Sequence, residues 1–178
     1  MSRGVAGWPR GRSVDGGIDE IPLPASVAGR LWLCGKHAIG PDPERLLEAT
    51  GATTVVCLTQ RSELADRYPD YVRWLDGQQP ERATWFPIHD LGAPPLAEYL
   101  VLVERVRAHL AAGTGVVAHC AAGLGRAGTL AVAVLMHAGR ERSAALAHVA
   151  AHRPMAGPEA GAQAELLIDL ERALRAGG

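Results

Sequence analysis

Cysteine is scarce in this chain. Three occur in 178 residues, Cys34, Cys57 and Cys120, odd in number and far apart. Such a set is a poor disulfide framework and has no zinc-ligand spacing, and it fits a reducing compartment. Long apolar runs are missing too: nowhere do about 18 consecutive apolar residues occur, so no membrane-spanning helix is expected. Neither sign of charge is in excess, with 18 Lys+Arg against 19 Asp+Glu and a formal net charge of -1. That balance removes any whole-molecule argument for binding nucleic acid or an anionic membrane surface, so an anion site must be local. The opening stretch, MSRGVAGWPRGRSVDGG, carries arginines with no apolar segment after them and lacks the pattern of a secretory signal. No internal repeat or low-complexity tract is visible. These absences predict a soluble, cytoplasmic protein with neither nucleic-acid nor membrane partners.

A chain of this length buries roughly 70% of its unfolded surface, enough for one sizeable core without metal or disulfide. Residues 1–28 are rich in Gly, Arg and Pro without periodicity and read as a flexible N-terminal arm, with the ordered domain spanning 29–178. Short apolar runs at 30–35, 53–59, 84–88 and 115–120 read as strands, bounded by Gly, Pro or polar residues. Helices are expected in DPERLLEAT, with Pro43 at its start, and in LAEYLVLVERVRAHLAAG, with Gly113 as its stop. GTLAVAVLMHAG is apolar nearly all round, and two more helices follow around RSAALAHVAAHR and AGAQAELLIDLERALRA. Strands and helices alternate and then give way to helices, which predicts an α/β domain with a central, mostly parallel sheet flanked by helices.

The segment GVVAHCAAGLGRAGTL therefore runs from a buried strand into a buried helix, the place where α/β sheets bind ligands. Gly123, Gly125 and Gly128 allow a tight turn whose N–H groups converge on an anion, and the helix adds its positive end. A thiol set there, at Cys120, is expected to ionise more readily than an ordinary cysteine. Arg126, at the far end of the loop, offers a planar fork that matches two phosphoryl oxygens. Nucleophile and clamp share one loop, with Ala121, Ala122, Gly123, Leu124 and Gly125 as its phosphate-binding backbone. Buried free cysteine is also a common core residue, and the spacing alone does not separate the two readings.

HCAAGLGR resembles the His-Cys-x5-Arg signature of the protein tyrosine phosphatase superfamily, and Gly128 and Thr129 fit the same pattern. The likeness is to the dual-specificity branch, which includes cyclin-dependent-kinase-associated and Cdc14-like phosphatases. It runs through VVCLTQRSEL, FPIHDLGAPP, the signature loop and HRPMAGPEAGAQAELL in the family's order. The resemblance implies a phosphatase-type fold and a phosphocysteine intermediate, with no metal or cofactor. It implies a general acid about thirty residues before the cysteine, a position that Asp90 fills in a Pro- and Gly-rich loop; a turn aspartate is the plainer alternative. His119 corresponds to the histidine that braces the loop and helps keep the thiol ionised. Gln163 aligns with a glutamine that places the hydrolytic water, or is a capping residue. Arg61 and Glu63 look like loop-holding ion-pair residues.

Ala127 breaks the pattern, because the family carries Ser or Thr after the arginine, and that hydroxyl assists departure of the thiolate in the second step. Its loss predicts a slow second step unless Thr129 or a water substitutes, or a phosphate-binding pseudophosphatase that recognises phosphorylated partners. A sulfur-transfer or arsenate-reducing enzyme would share the cysteine loop but gives Asp90 no role. The signature loop has no lysine, so protein phosphate is expected over polyphosphorylated inositol lipids, with a small phosphoester as the other substrate class. No aromatic recognition segment of the strictly tyrosine-specific branch is present. Cys34 and Cys57 are expected in the core, and His89 as a bystander.

Overall fold

The computed structural model describes residues 17–177. Five strands form one sheet: β1 (Ile18–Ile21), β2 (Arg30–Gly35), β3 (Thr54–Cys57), β4 (Ala83–Trp85) and β5 (Gly115–Cys120). Their order is β1-β2-β5-β3-β4, with β1 antiparallel to β2 and every other pair parallel. The expected α/β class, a single domain with a mostly parallel sheet between helices, is what the chain adopts. β5 lies in the middle, and all six of its residues are buried. A parallel strand with neighbours on both edges and helices on both faces has no solvent side, which explains its unbroken apolar run.

The helices divide between the two faces. α1 (Lys36–Ile39), α2 (Pro43–Thr50) and α3 (Pro69–Gln78) pack with Trp32, Cys34, Val55, Cys57 and Val117. α4 (Leu96–Ala111), α5 (Gly125–His137), α6 (Arg142–His152) and α7 (Gly161–Ala176) pack with Leu31, Leu33, Val56, Val116 and Ala118. Successive residues of one strand thus feed opposite cores, the period-two rule of a pleated strand. α5 runs through the centre of its layer with every residue from Gly125 to Met136 buried, so its sequence shows no polar face. α2 begins as its sequence dictates. Pro43 sits in the first turn and Asp42 caps the helix by accepting from the Arg45 amide at 3.0 Å.

Three of these elements, α1, α3 and β1, have no counterpart in the sequence-based expectations, and α1 is a single turn of four residues, too short to show a helical period. α3 buries only Tyr71, Val72 and Leu75 and contains Gly77, so its helical stripe is too sparse to stand out. β1 falls within the stretch expected to be a flexible arm, which is a correction for residues 17–28. Ile18–Ile21 pair residue by residue with Leu31–Cys34, and the Pro22 carbonyl accepts a 2.7 Å hydrogen bond from His148 on α6. Four residues between a Gly pair and Pro22 carry too little periodicity to be read as a strand, and only the exposed edge of β2 makes them one. Residues 1–16, the rest of that expected arm, lie outside the described residues.

Candidate active site

The loop Ala121–Leu124 leaves the end of β5 and enters α5 directly, and each of its carbonyls is held from outside. The Ala121 carbonyl accepts from the Lys36 amide at 3.0 Å, and that of Leu124 from the Gly128 and Gly157 amides at 2.8 and 3.2 Å. Arg153 takes the two between, donating Nη2 to Ala122 O at 2.9 Å and Nε to Gly123 O at 2.7 Å. In a planar trans peptide the N–H points opposite to the carbonyl, so four outward carbonyls turn the amides of Ala122 to Gly125 inward. The result is a concave row of backbone amides at the end of β5. Gly123 has φ +72°, and a Cβ there would lie 2.3 Å from the Cys34 carbonyl oxygen and 2.8 Å from Arg153 Nη2, so only glycine fits this turn against the end of β2.

Cys120, 3% exposed, stands at the floor of this cradle, and Arg126 enters from the first turn of α5. Arg126 is equally buried, and its guanidinium is multiply held. Nη1 and Nη2 donate to the two carboxylate oxygens of Glu63 at 2.7 and 2.8 Å, and Nη1 also donates to Ile88 O at 2.8 Å. Asp90 Oδ1 lies 3.1 Å from Nη2. Burial works against ionisation of Glu63, but its hydrogen bonds from Arg126 and the Gln60 amide prevail and hold it below the ordinary carboxylate range. Glu63 is therefore the anionic partner that orients the Arg126 guanidinium. Its own turn is fixed by Lys36, the only lysine of the chain, which donates Nζ to Glu63 O at 2.8 Å. Arg61, in contrast, faces solvent, pairs with Asp76 at 2.7 Å and stacks on Trp85.

His119 points to the opposite core. It is fully buried, 2.7 Å from the Tyr71 hydroxyl, with Nδ1 3.4 Å from Cys120 O. Burial lowers its pKa to about 4, so at neutral pH it is an uncharged brace between α3 and the strand end. The sign of the linkage is clear. The unfolded histidine binds a proton near pH 6.5 and the folded one does not, so stability is present above that pH and is lost as pH falls toward 4. The loss from this group reaches ~3 kcal/mol at the bottom of the window. Denaturant titrations between pH 7 and 4 should show a shallower loss of stability in His119→Gln than in the wild type.

The other expected residues also find places. Cys34 and Cys57 are buried core thiols, pushed up to about 12 by burial, and all three cysteines are free. His89 is exposed beside Asp90. Gln163 is 2% exposed and lines a small cavity together with Arg126 and Thr129. Its Oε1 accepts from the Glu159 amide at 2.8 Å and its Nε2 donates to Gly92 O at 3.3 Å, so it ties the start of α7 to the loop that carries Asp90. Ala127 is fully buried and presents only a methyl group. Arg153, Tyr71 and Lys36 escaped the sequence reading because each acts through chain-distant contacts. The only signal was that Arg153 lies within the segment HRPMAG already singled out.

A family model described as the DSP-PTPase phosphatase domain of the Swiss Army Knife proteins matches residues 28–177. No curated protein sequence matches the chain. Among solved structures, a glycine-to-alanine mutant form of Tk-PTP is 30% identical over 83% of this chain and 93% of that one, with a TM-score of 0.65. Its active form is 26% identical over 86% and 96%, also at 0.65. Human DUSP28, 21% identical over 94% and 99% with a TM-score of 0.67, shares the fold. The same holds for kinase associated phosphatase with its catalytic-site cysteine replaced by serine, 23% identical over 83% and 88% with a TM-score of 0.69. A cysteine and an arginine on one cradle-shaped loop, in a chain matched over nearly its whole described length, thus have one common origin: the chain belongs to the dual-specificity phosphatase domain family of the protein tyrosine phosphatase superfamily.

Proposed function

We propose that this protein hydrolyses phosphate monoesters through a phosphocysteine intermediate. The observation that carries the reading is the meeting of Cys120, an inward-facing amide cradle and Arg126 at one point, with Asp90 on the same guanidinium. The cradle amides and Arg126 hold the phosphoryl oxygens, which replace the Asp90 carboxylate at Nη2. The Cys120 thiolate attacks phosphorus, the bond to the leaving oxygen breaks, and Asp90 gives that oxygen its proton. Asp90 then takes a proton from water as the water attacks phosphorus. The P–S bond breaks, the thiolate returns and inorganic phosphate departs. Charge developing on the phosphoryl oxygens meets a preformed positive field. Gln163 acts as a positioning residue for the acid loop through Gly92, since its amide is engaged at both ends. Protein phosphate, on tyrosine and on serine or threonine, is the substrate class the lysine-free loop suits, with small phosphoesters next, and three free thiols fit a cytoplasmic setting.

The test is rapid-mix hydrolysis of an aryl phosphate with acid-quenched mass spectrometry. A burst of alcohol product and a phosphate adduct on Cys120 are expected, followed by slow turnover. Ala127 assigns the slow step, because its methyl group offers the departing thiolate no hydrogen bond. Ala127→Ser should raise the steady-state rate about fivefold to tenfold, the worth of one hydrogen bond, and leave the burst unchanged. An unchanged steady-state rate would remove Ala127 from the account. The same residue favours a second reading, a pseudophosphatase that binds phosphorylated partners. Phosphopeptide binding without burst or adduct would establish it.

A further inference from the structure

Arg153 is the largest side chain that is fully buried, and it lies behind the signature loop. Its three nitrogens are divided between two tasks. Nε and Nη2 hold the Gly123 and Ala122 carbonyls, while Nη1 donates to Asp19 Oδ2 at 2.7 Å. Asp19, on β1, is itself 3% exposed. β1 precedes the family-model match, which begins at residue 28. We infer that Asp19 and Arg153 together are positioning residues that hold the signature loop in its anion-binding shape, so that a strand outside the matched family domain completes the phosphate site. The inference rests on the phosphatase reading for its anion, and on geometry for the loop.

Two adjacent peptides with their carbonyls turned the same way bring their dipoles together unfavourably, and a cation on the carbonyl side removes that penalty. A guanidinium meets two carbonyls and one carboxylate at fixed angles, which an ammonium cannot do. A buried cation also needs an anion, and Asp19 is the partner that keeps Arg153 at the loop instead of letting it turn to water.

The experiment measures two quantities on the full chain and on Arg153→Met, Arg153→Lys and Asp19→Asn. One is the pH dependence of Cys120 alkylation by iodoacetamide, which needs no turnover. The other is the dissociation constant of orthovanadate. In Arg153→Met the alkylation midpoint should rise by about one pH unit and vanadate should bind about tenfold more weakly, as loop amides lose their common direction. Arg153→Lys should not rescue either value, and Asp19→Asn should shift both the same way by less. Variants that keep a cooperative thermal transition yet match the wild type in both measurements would overturn the inference. So would tighter vanadate binding in Asp19→Asn, which would make Asp19 a brake on the positive field and not an anchor. Should Arg153→Met fail to fold, Asp19→Asn decides. If the wild type itself binds no vanadate, the phosphatase reading fails, while the alkylation midpoints still report on the clasp.

Discussion

Cys120→Ser should abolish hydrolysis of aryl phosphates, with turnover at least about four orders of magnitude below wild type. A serine hydroxyl at this position stays protonated at neutral pH and is a poor nucleophile toward phosphorus, so no covalent intermediate forms. The substitution changes one buried atom at the end of β5. It leaves every contact that shapes the loop in place, because the donors to the loop carbonyls come from Lys36, Arg153, Gly128 and Gly157. Phosphopeptide binding, followed by calorimetry, should therefore persist in the variant. Loss of turnover with binding retained would identify Cys120 as the nucleophile. Residual turnover at the wild-type rate would show that a different group reacts.

Asp90→Asn should have the next largest effect, and one that depends on the substrate. For phenyl and alkyl phosphates, whose leaving oxygens need a proton, kcat should fall about a hundred- to ten-thousand-fold. For an aryl phosphate with a strongly acidic leaving group the fall should be small, since that oxygen departs unaided. The Asp90 carboxylate is 66% exposed and touches the guanidinium that phosphate must occupy, so it competes with the substrate. Removing its charge should lower KM at the same time. Steady-state rates across a series of leaving groups separate these effects, and a uniform fall across the series would argue that Asp90 shapes the loop and does not deliver a proton.

The central part of this protein was legible along the chain. GVVAHC reads as a buried strand because every residue but the last two is small or apolar, and GLGRAGTLAVAVLM reads as a buried helix after a glycine turn. Cys120 and Arg126 sit at the two ends of a single short loop, so that loop fixes their meeting almost by itself. Asp90 was visible through a family spacing, and its loop composition agreed. Glu63 was visible as an ion-pair residue, but its partner was not, because Glu63 and Arg126 are 63 positions apart in sequence. His119 was expected to brace the loop and to help ionise the thiol; it packs as a brace against the Tyr71 hydroxyl, and burial leaves it uncharged at neutral pH. Burial is a property of the packed sheet and cannot be read from a neighbouring residue.

Residue order by itself determined the α/β class, the strand that ends at Cys120, and the cysteine and arginine of the loop, since each rests on patterns within a short stretch of chain. The tertiary structure alone decided how the loop is held open. Asp19 and Arg153 are separated by 134 positions and meet only after β1 has paired with β2 and α6 has docked behind the loop. A short polar strand and an arginine in a proline-bounded turn carry no local signature of that meeting. It arises because a buried guanidinium must find an anion, and because the sheet edge places one beside it.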